Sequence, residues 1–117
     1  MSRKLDTGRF TGTETWWKNP MFPGYSYTDG VRYVAQEAEA YWLIDLIFSH
    51  QLDPKARAED FQVWKLTVAP DNTATAIMTD GNSEEPIIRQ DIEYTSFPDP
   101  DMMMWLIDKA LMLPGEY

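Results

Sequence analysis

Apolar positions recur with a helical period over residues 31–51. At about 100° per residue, Val31, Val34, Ala35, Ala38, Tyr41 and Trp42 form one stripe, and Arg32, Gln36 and Glu39 face away. From Ala40 the stretch is apolar nearly all round, through Leu43, Ile44, Leu46, Ile47 and Phe48, which predicts a deeply buried end. Asp29 is placed to cap this helix, and Pro54 ends it by disfavouring helical geometry at Asp53. Beyond it the period changes to two. The runs 61–68, 73–79 and 87–95 are rich in strand formers, and the turn sequences PDN and DGNSEEP separate them. Such short links predict an antiparallel meander. In the third run Ile88, Gln90, Ile92 and Tyr94 share one face, and Arg89, Asp91 and Glu93 share the other.

The final stretch, DMMMWLIDKALML, again reads as a helix. Asp99 suits its N-cap, Pro100 its first position, and Pro114-Gly115 its stop. Before the first helix lies FTGTETWWKNPMFPGYSYTDG, too punctuated by Gly and Pro for regular structure apart from a short edge strand around 24–28. Its aromatics, Trp16, Trp17, Phe22, Tyr25 and Tyr27, read as a lid over the core or as an interaction surface. The expected fold is α+β. It comprises an irregular aromatic N-terminal arm, a long helix, a three-stranded antiparallel meander and a C-terminal helix, with both helices on one sheet face. Residues 1–9 read as a flexible tail and 10–117 as a single domain.

Composition narrows the function classes. The 117 residues include 0 Cys, which excludes disulfides, thiolate metal sites and cysteine nucleophiles. Ten Lys+Arg against 19 Asp+Glu give a net charge of −9, which disfavours direct nucleic-acid binding. No secretion signal opens the chain and Asp45 interrupts its longest apolar run, so no membrane association is expected and a cytoplasmic protein is. Acidic residues concentrate late: Glu84, Glu85, Asp91 and Glu93 are candidates for binding a basic partner, together with Trp16 and Trp17. The competing reading of the acids is the solvated face of a meander.

The tetrapeptide WLID occurs twice, ending in Asp45 and Asp108. On the helical wheel Asp45 falls within an apolar stripe and Asp108 outside one, so they do not read as a catalytic pair. Asp45 is expected to be a buried structural carboxylate, held by Tyr94, Gln90 or a donor in the aromatic arm. His50 is the sole histidine and reads as a surface or capping residue, and Asp80–Glu85 as a hairpin turn rather than a cation site. No catalytic residue, metal site or cofactor is assigned.

FTGTETWW, YTDGVRYVAQEAEAYWLIDLI, FQVWKLTV, TDGN, IEYTSFP and the ending LPGEY together resemble a family of small bacterial proteins of unknown function, common on plasmids, phages and other mobile elements. The resemblance implies one small domain in a mobile-element setting and carries no activity. The expected function is that of a non-enzymatic accessory protein that binds another protein. The alternatives are a small-ligand binder or enzyme with a polar site near Asp45, Tyr27 and Asp29, and a homodimeric scaffold joined through the arm or the Met-rich helix.

Overall fold

A straight helix over 31–51 would be roughly 30 Å long, as long as the whole molecule, whose principal extents are 38 × 32 × 28 Å. The chain instead folds it in two. In this computed structural model, which describes residues 16–116, α1 spans Asp29–Glu37 and α2 spans Tyr41–Ser49. Between them Glu39 adopts a left-handed φ of 52°, and the Ala40 amide reaches back to the Ala35 carbonyl at 2.8 Å. The break lets Leu43, Ile44, Ile47 and Phe48 of α2 bury against the sheet. No Gly or Pro marks it. A 3-10 turn at His50–Leu52 and a single helical turn α3, Pro54–Arg57, complete the helical segment. The expected tail at 1–9, and the part of the arm at 10–15, lie outside the described residues.

The described strands are β1 (Trp16–Lys18), β2 (Ser26–Thr28), β3 (Phe61–Val68), β4 (Ala74–Thr79), β5 (Ile88–Ile92), β6 (Asp101–Ile107) and β7 (Ala110–Met112). They form one mixed sheet of seven strands in the order β1-β2-β7-β6-β3-β4-β5. Only the β2–β7 pairing in this order is parallel. This corrects the expected architecture of a long helix, a three-stranded meander and a C-terminal helix. β3, β4 and β5 form where the alternation places them, but as one end of a larger sheet.

The C-terminal helix does not exist. Its residues make β6 and β7, and β6 is inserted between β3 and β7. Met104 and Leu106 are buried on the face shared with Trp64 and Leu66, while Met103, Trp105 and Ile107 are half-buried on the other. Both faces of the strand are apolar, so no alternation is visible in the sequence. Asp108 and Lys109 turn the chain with φ of 50° and 67°, the two positive values of a type I′ hairpin, but without its usual Asn-Gly. Asp99, expected as a helix cap, is a buried residue ahead of β6.

The helices cover one face of the sheet, called the inner face below. Ile44, Ile47 and Phe48 join Trp64, Leu66, Ala76, Met78, Leu106 and Leu111 in one core. Replacing Lys109 by Gly separates the two structures of this segment. In a helix it would cost about 1 kcal/mol; in the hairpin it relieves a left-handed side chain and contributes roughly 1 kcal/mol. A Lys109→Gly variant is therefore expected to melt a few degrees higher than the parent by circular dichroism.

Candidate functional site

α1 begins at a junction of three segments. Thr28, not Asp29, is its N-cap: the Thr28 Oγ1 accepts from the Val31 amide at 3.3 Å. The Glu116 carboxylate approaches the same helix end from outside. Thr28 Oγ1 donates to Glu116 Oε1 at 2.6 Å, the Gly30 amide donates to Oε2 at 3.1 Å, and the Leu113 amide donates to Oε1 at 3.0 Å. Glu116 is 8% exposed, and it sits where the helix dipole favours an anion. A side chain at Gly30 would place its Cβ 2.5 Å from Glu116 Oε1, a contact that the three bonds to that carboxylate leave no room to relieve. Trp17 joins the junction from β1. Its Nε1 donates to Asp29 Oδ1 at 2.9 Å, and the Arg32 guanidinium lies 3.8 Å from the centre of its ring.

Asp45 lies close by on α2. It is exposed, which corrects the expected burial, and it accepts a 2.9 Å bond from Asn19 Nδ2 of the arm. The α-helical wheel misplaces it because the helix restarts at Tyr41 and its buried stripe becomes Leu43, Ile44, Ile47 and Phe48. Tyr94 is 69% exposed, and Gln90 instead meets His50, whose Nε2 lies 2.6 Å from Gln90 Oε1. Burial raises the Tyr27 hydroxyl above its ordinary pKa; Tyr41 and Asp45 push the same way and Arg32 opposes them. Asp108, the second WLID carboxylate, is exposed in the β6–β7 turn.

The outer face of the sheet carries the more unusual chemistry. Lys65 of β3 stands between Ile77 of β4 and Met103 of β6, and Val63 stands between Thr79 and Trp105. The Phe61 ring extends the row, 5.2 Å from that of Trp105. Val63, Lys65, Ile77, Thr79, Met103 and Trp105 line a hollow of about 440 Å³. The loop after β4 folds over one side: Gly81, with φ of 86°, lies close enough that an added Cβ would sit 3.4 Å from Val63 Cγ2. Asp80 shapes this loop by accepting from the Asn82 and Ser83 amides, and those two bonds hold its carboxyl below its ordinary pKa. Among the described residues, no group of three His, Asp or Glu side chains is arranged to hold a metal ion.

The sequence-derived candidates separate into two places. Glu84 lines the outer hollow and Glu85 follows it in the same exposed loop. Asp91 is exposed on the outer side of β5, 3.2 Å from the Arg89 guanidinium, and Glu93 is exposed just beyond the strand. Trp16 and Trp17 lie on β1, at the opposite edge of the sheet. Trp16 is 50% exposed, whereas Trp17 is engaged with Asp29 and Arg32. The acids and the tryptophans therefore do not form one surface.

Sequence reasoning missed a second concavity. A cleft of about 510 Å³ opens between the arm, the end of α2 and the β6–β7 turn. Phe22 and Tyr25 pack on Phe48, with ring centres 6.0 Å and 5.3 Å away. Arg57, Asp60, Asp108 and Lys109 line the same cleft. Also among its lining residues, Gln51 and Gln62 exchange amide bonds of 2.9 Å and 2.8 Å, and Trp64 Nε1 donates to Gln62 Oε1 at 2.9 Å. No local motif announces the cleft, because its walls come from segments far apart in sequence.

A family model described as a family of unknown function matches residues 2–117. No curated protein and no solved structure matches the chain. Within the described residues, the segments YTDG and LPGE meet at the Glu116 junction. Glu116→Gln would turn an amide donor toward a backbone or hydroxyl donor, at a cost of roughly 2 kcal/mol. Thermal denaturation should show its midpoint lowered by roughly 10 °C, with Gly30→Ala lowered at least as far; an unchanged midpoint in both variants would remove the junction from the stability of the fold.

Proposed function

We propose a binding role for this chain, which belongs to DUF6876, a family of unknown function. Its reading is a non-enzymatic protein that docks a partner protein on the outer face of its sheet. One observation carries this. Val63, Ile77, Met103 and Trp105 are half-buried and stand outside the core that the helices share with the inner face. An antiparallel sheet with one solvated face normally turns polar residues outward. Apolar residues grouped around Lys65, with acidic residues at the border, offer both the apolar area and the charges that a protein interface uses.

The charge favours a basic partner. Glu84 lines the hollow beside the apolar residues, Glu85 follows it in the same exposed loop, and the chain carries −9 overall. A partner with a basic rim around an apolar contact would be steered toward this face and held in register. The resemblance to proteins of plasmids and phages extends the proposal to a basic host protein of defence or nucleic-acid handling.

The cleft favours a second reading, a small amphipathic ligand held between the Phe22, Tyr25 and Phe48 rings and the Arg57 and Lys109 cations. This differs from the polar site expected near Asp45, which is not among the cleft's lining residues.

One set of variants separates the two. A partner captured from host lysate should bind Met103→Glu at least tenfold more weakly, a loss of about 1.4 kcal/mol. The pair Glu84→Lys and Glu85→Lys should slow association and reduce its sensitivity to salt. Arg57→Glu, in the cleft, should leave protein capture intact. Capture that ignores Met103→Glu would remove the outer-face reading.

A further inference from the structure

Among the described residues, β5 has a partner strand on only one of its edges. The other edge offers a row of backbone N–H and C=O groups, a template for a further strand. The sequence of β5 is Ile88-Arg89-Gln90-Asp91-Ile92. Laid antiparallel against a second copy and centred on Gln90, it is complementary to itself. Ile88 faces the other copy's Ile92, Arg89 faces its Asp91, and Gln90 faces its own equivalent.

We infer that β5 is the interface of a two-fold dimer, in which the sheets of two copies join edge to edge. The faces agree with this pairing. Ile88 and Ile92 pair with Met78 and Ala74 on the helix-covered side, so their contact would continue the inner face. Arg89 and Asp91 stand on the outer side with 64% and 73% of their side chains exposed. Within one chain Asp91 accepts from the Arg89 guanidinium at 3.2 Å and from Thr75 Oγ1 at 3.4 Å, both on a solvated strand surface where such a pair contributes little. In the dimer each gains an opposite charge directly across the strand pair.

The chemistry also fixes the register. Centring the pair on Asp91 or on Arg89 would set like charges face to face. A slip by one residue would place the apolar side of one copy against the charged side of the other. In the Gln90 register the flanking acids avoid one another: Glu93 comes opposite Ile87, and Glu85 opposite Thr95. A chain of net charge −9 needs that avoidance. Because both β5 edges are consumed, assembly closes at two copies.

The dimer goes beyond the docking proposal and stands or falls separately, since β5 is distinct from the Met103 surface. Sedimentation velocity on the full chain over a concentration series should show the parent dimerising. Arg89→Asp and Asp91→Arg, both at exposed positions and checked for folding by circular dichroism, should each weaken the dimer by roughly tenfold or more, because each replaces two attractive pairs by two repulsive ones. An equimolar mixture of the two variants should dimerise again, since every cross-strand pair in the mixed species is of opposite charge. The chain carrying both substitutions should also dimerise. A parent that stays monomeric throughout the series overturns the inference, as does a dimer indifferent to both single reversals.

Discussion

Glu116 closes the start of α1 from outside the helix, and much of the architecture follows from where its carboxylate must sit. An α-helix begins with amide donors that its own turns cannot satisfy. Here Thr28 caps one, and the Gly30 amide is met by Glu116 from the segment after β7. This requires β7 to end beside the point where β2 passes into α1. The parallel pairing of β2 with β7 supplies that geometry. The carboxylate is nearly excluded from water, so it holds its place only while its donors do. Gly30 is needed because the approach leaves no room for a side chain. One anion thus ties the helical layer to the β2–β7 pair of the sheet.

The sheet that results has two unlike faces. The inner one is closed by α1 and α2, and its buried amides at Gln51 and Gln62 satisfy each other and the Trp64 indole. Apolar residues on the outer one, from Phe61 to Trp105, are only partly withdrawn from water. The acidic loop bends onto this second face, so its charges stand beside apolar contact area rather than on a featureless solvated surface. On the opposite edge Trp17 is engaged in the junction around Asp29, which separates its role from that of the acids.

The elements legible in the sequence were those whose two faces differ. β3 and β4 alternate between more and less buried positions, β5 alternates in sequence between Ile88, Gln90 and Ile92 and the charged Arg89 and Asp91, and Asp71, Asn72 and Gly81 supply recognisable turn chemistry between the strands. β6 was illegible because Met103 and Trp105 are nearly as apolar as Met104 and Leu106, and a short apolar run on both faces resembles a buried helix. Its turn offered no Gly. The break at Glu39 was hidden for the same reason: Ala, Glu and Ala favour a helix locally, and tertiary packing overrides them. Of the candidate site, Glu84, Glu85 and Asp91 were visible as charge. Their relation to Ile77 and Met103 was not, since it depends on a strand order that no local pattern encodes.

That strand order also has a temporal side. β6 occupies the middle of the sheet yet follows β3, β4 and β5 in the chain. As a ribosome releases the chain, β3 to β5 can pair while β3 still has a bare, apolar edge awaiting its central neighbour. The helical layer lacks the core contacts of Met102, Met104 and Leu106 until β6 is in place. Until β6 is in place the sheet has an open edge at β3, the feature that invites intermolecular pairing. The central strand is thus also a late one in the chain, and a net charge of −9 opposes the association of sheets that lack it.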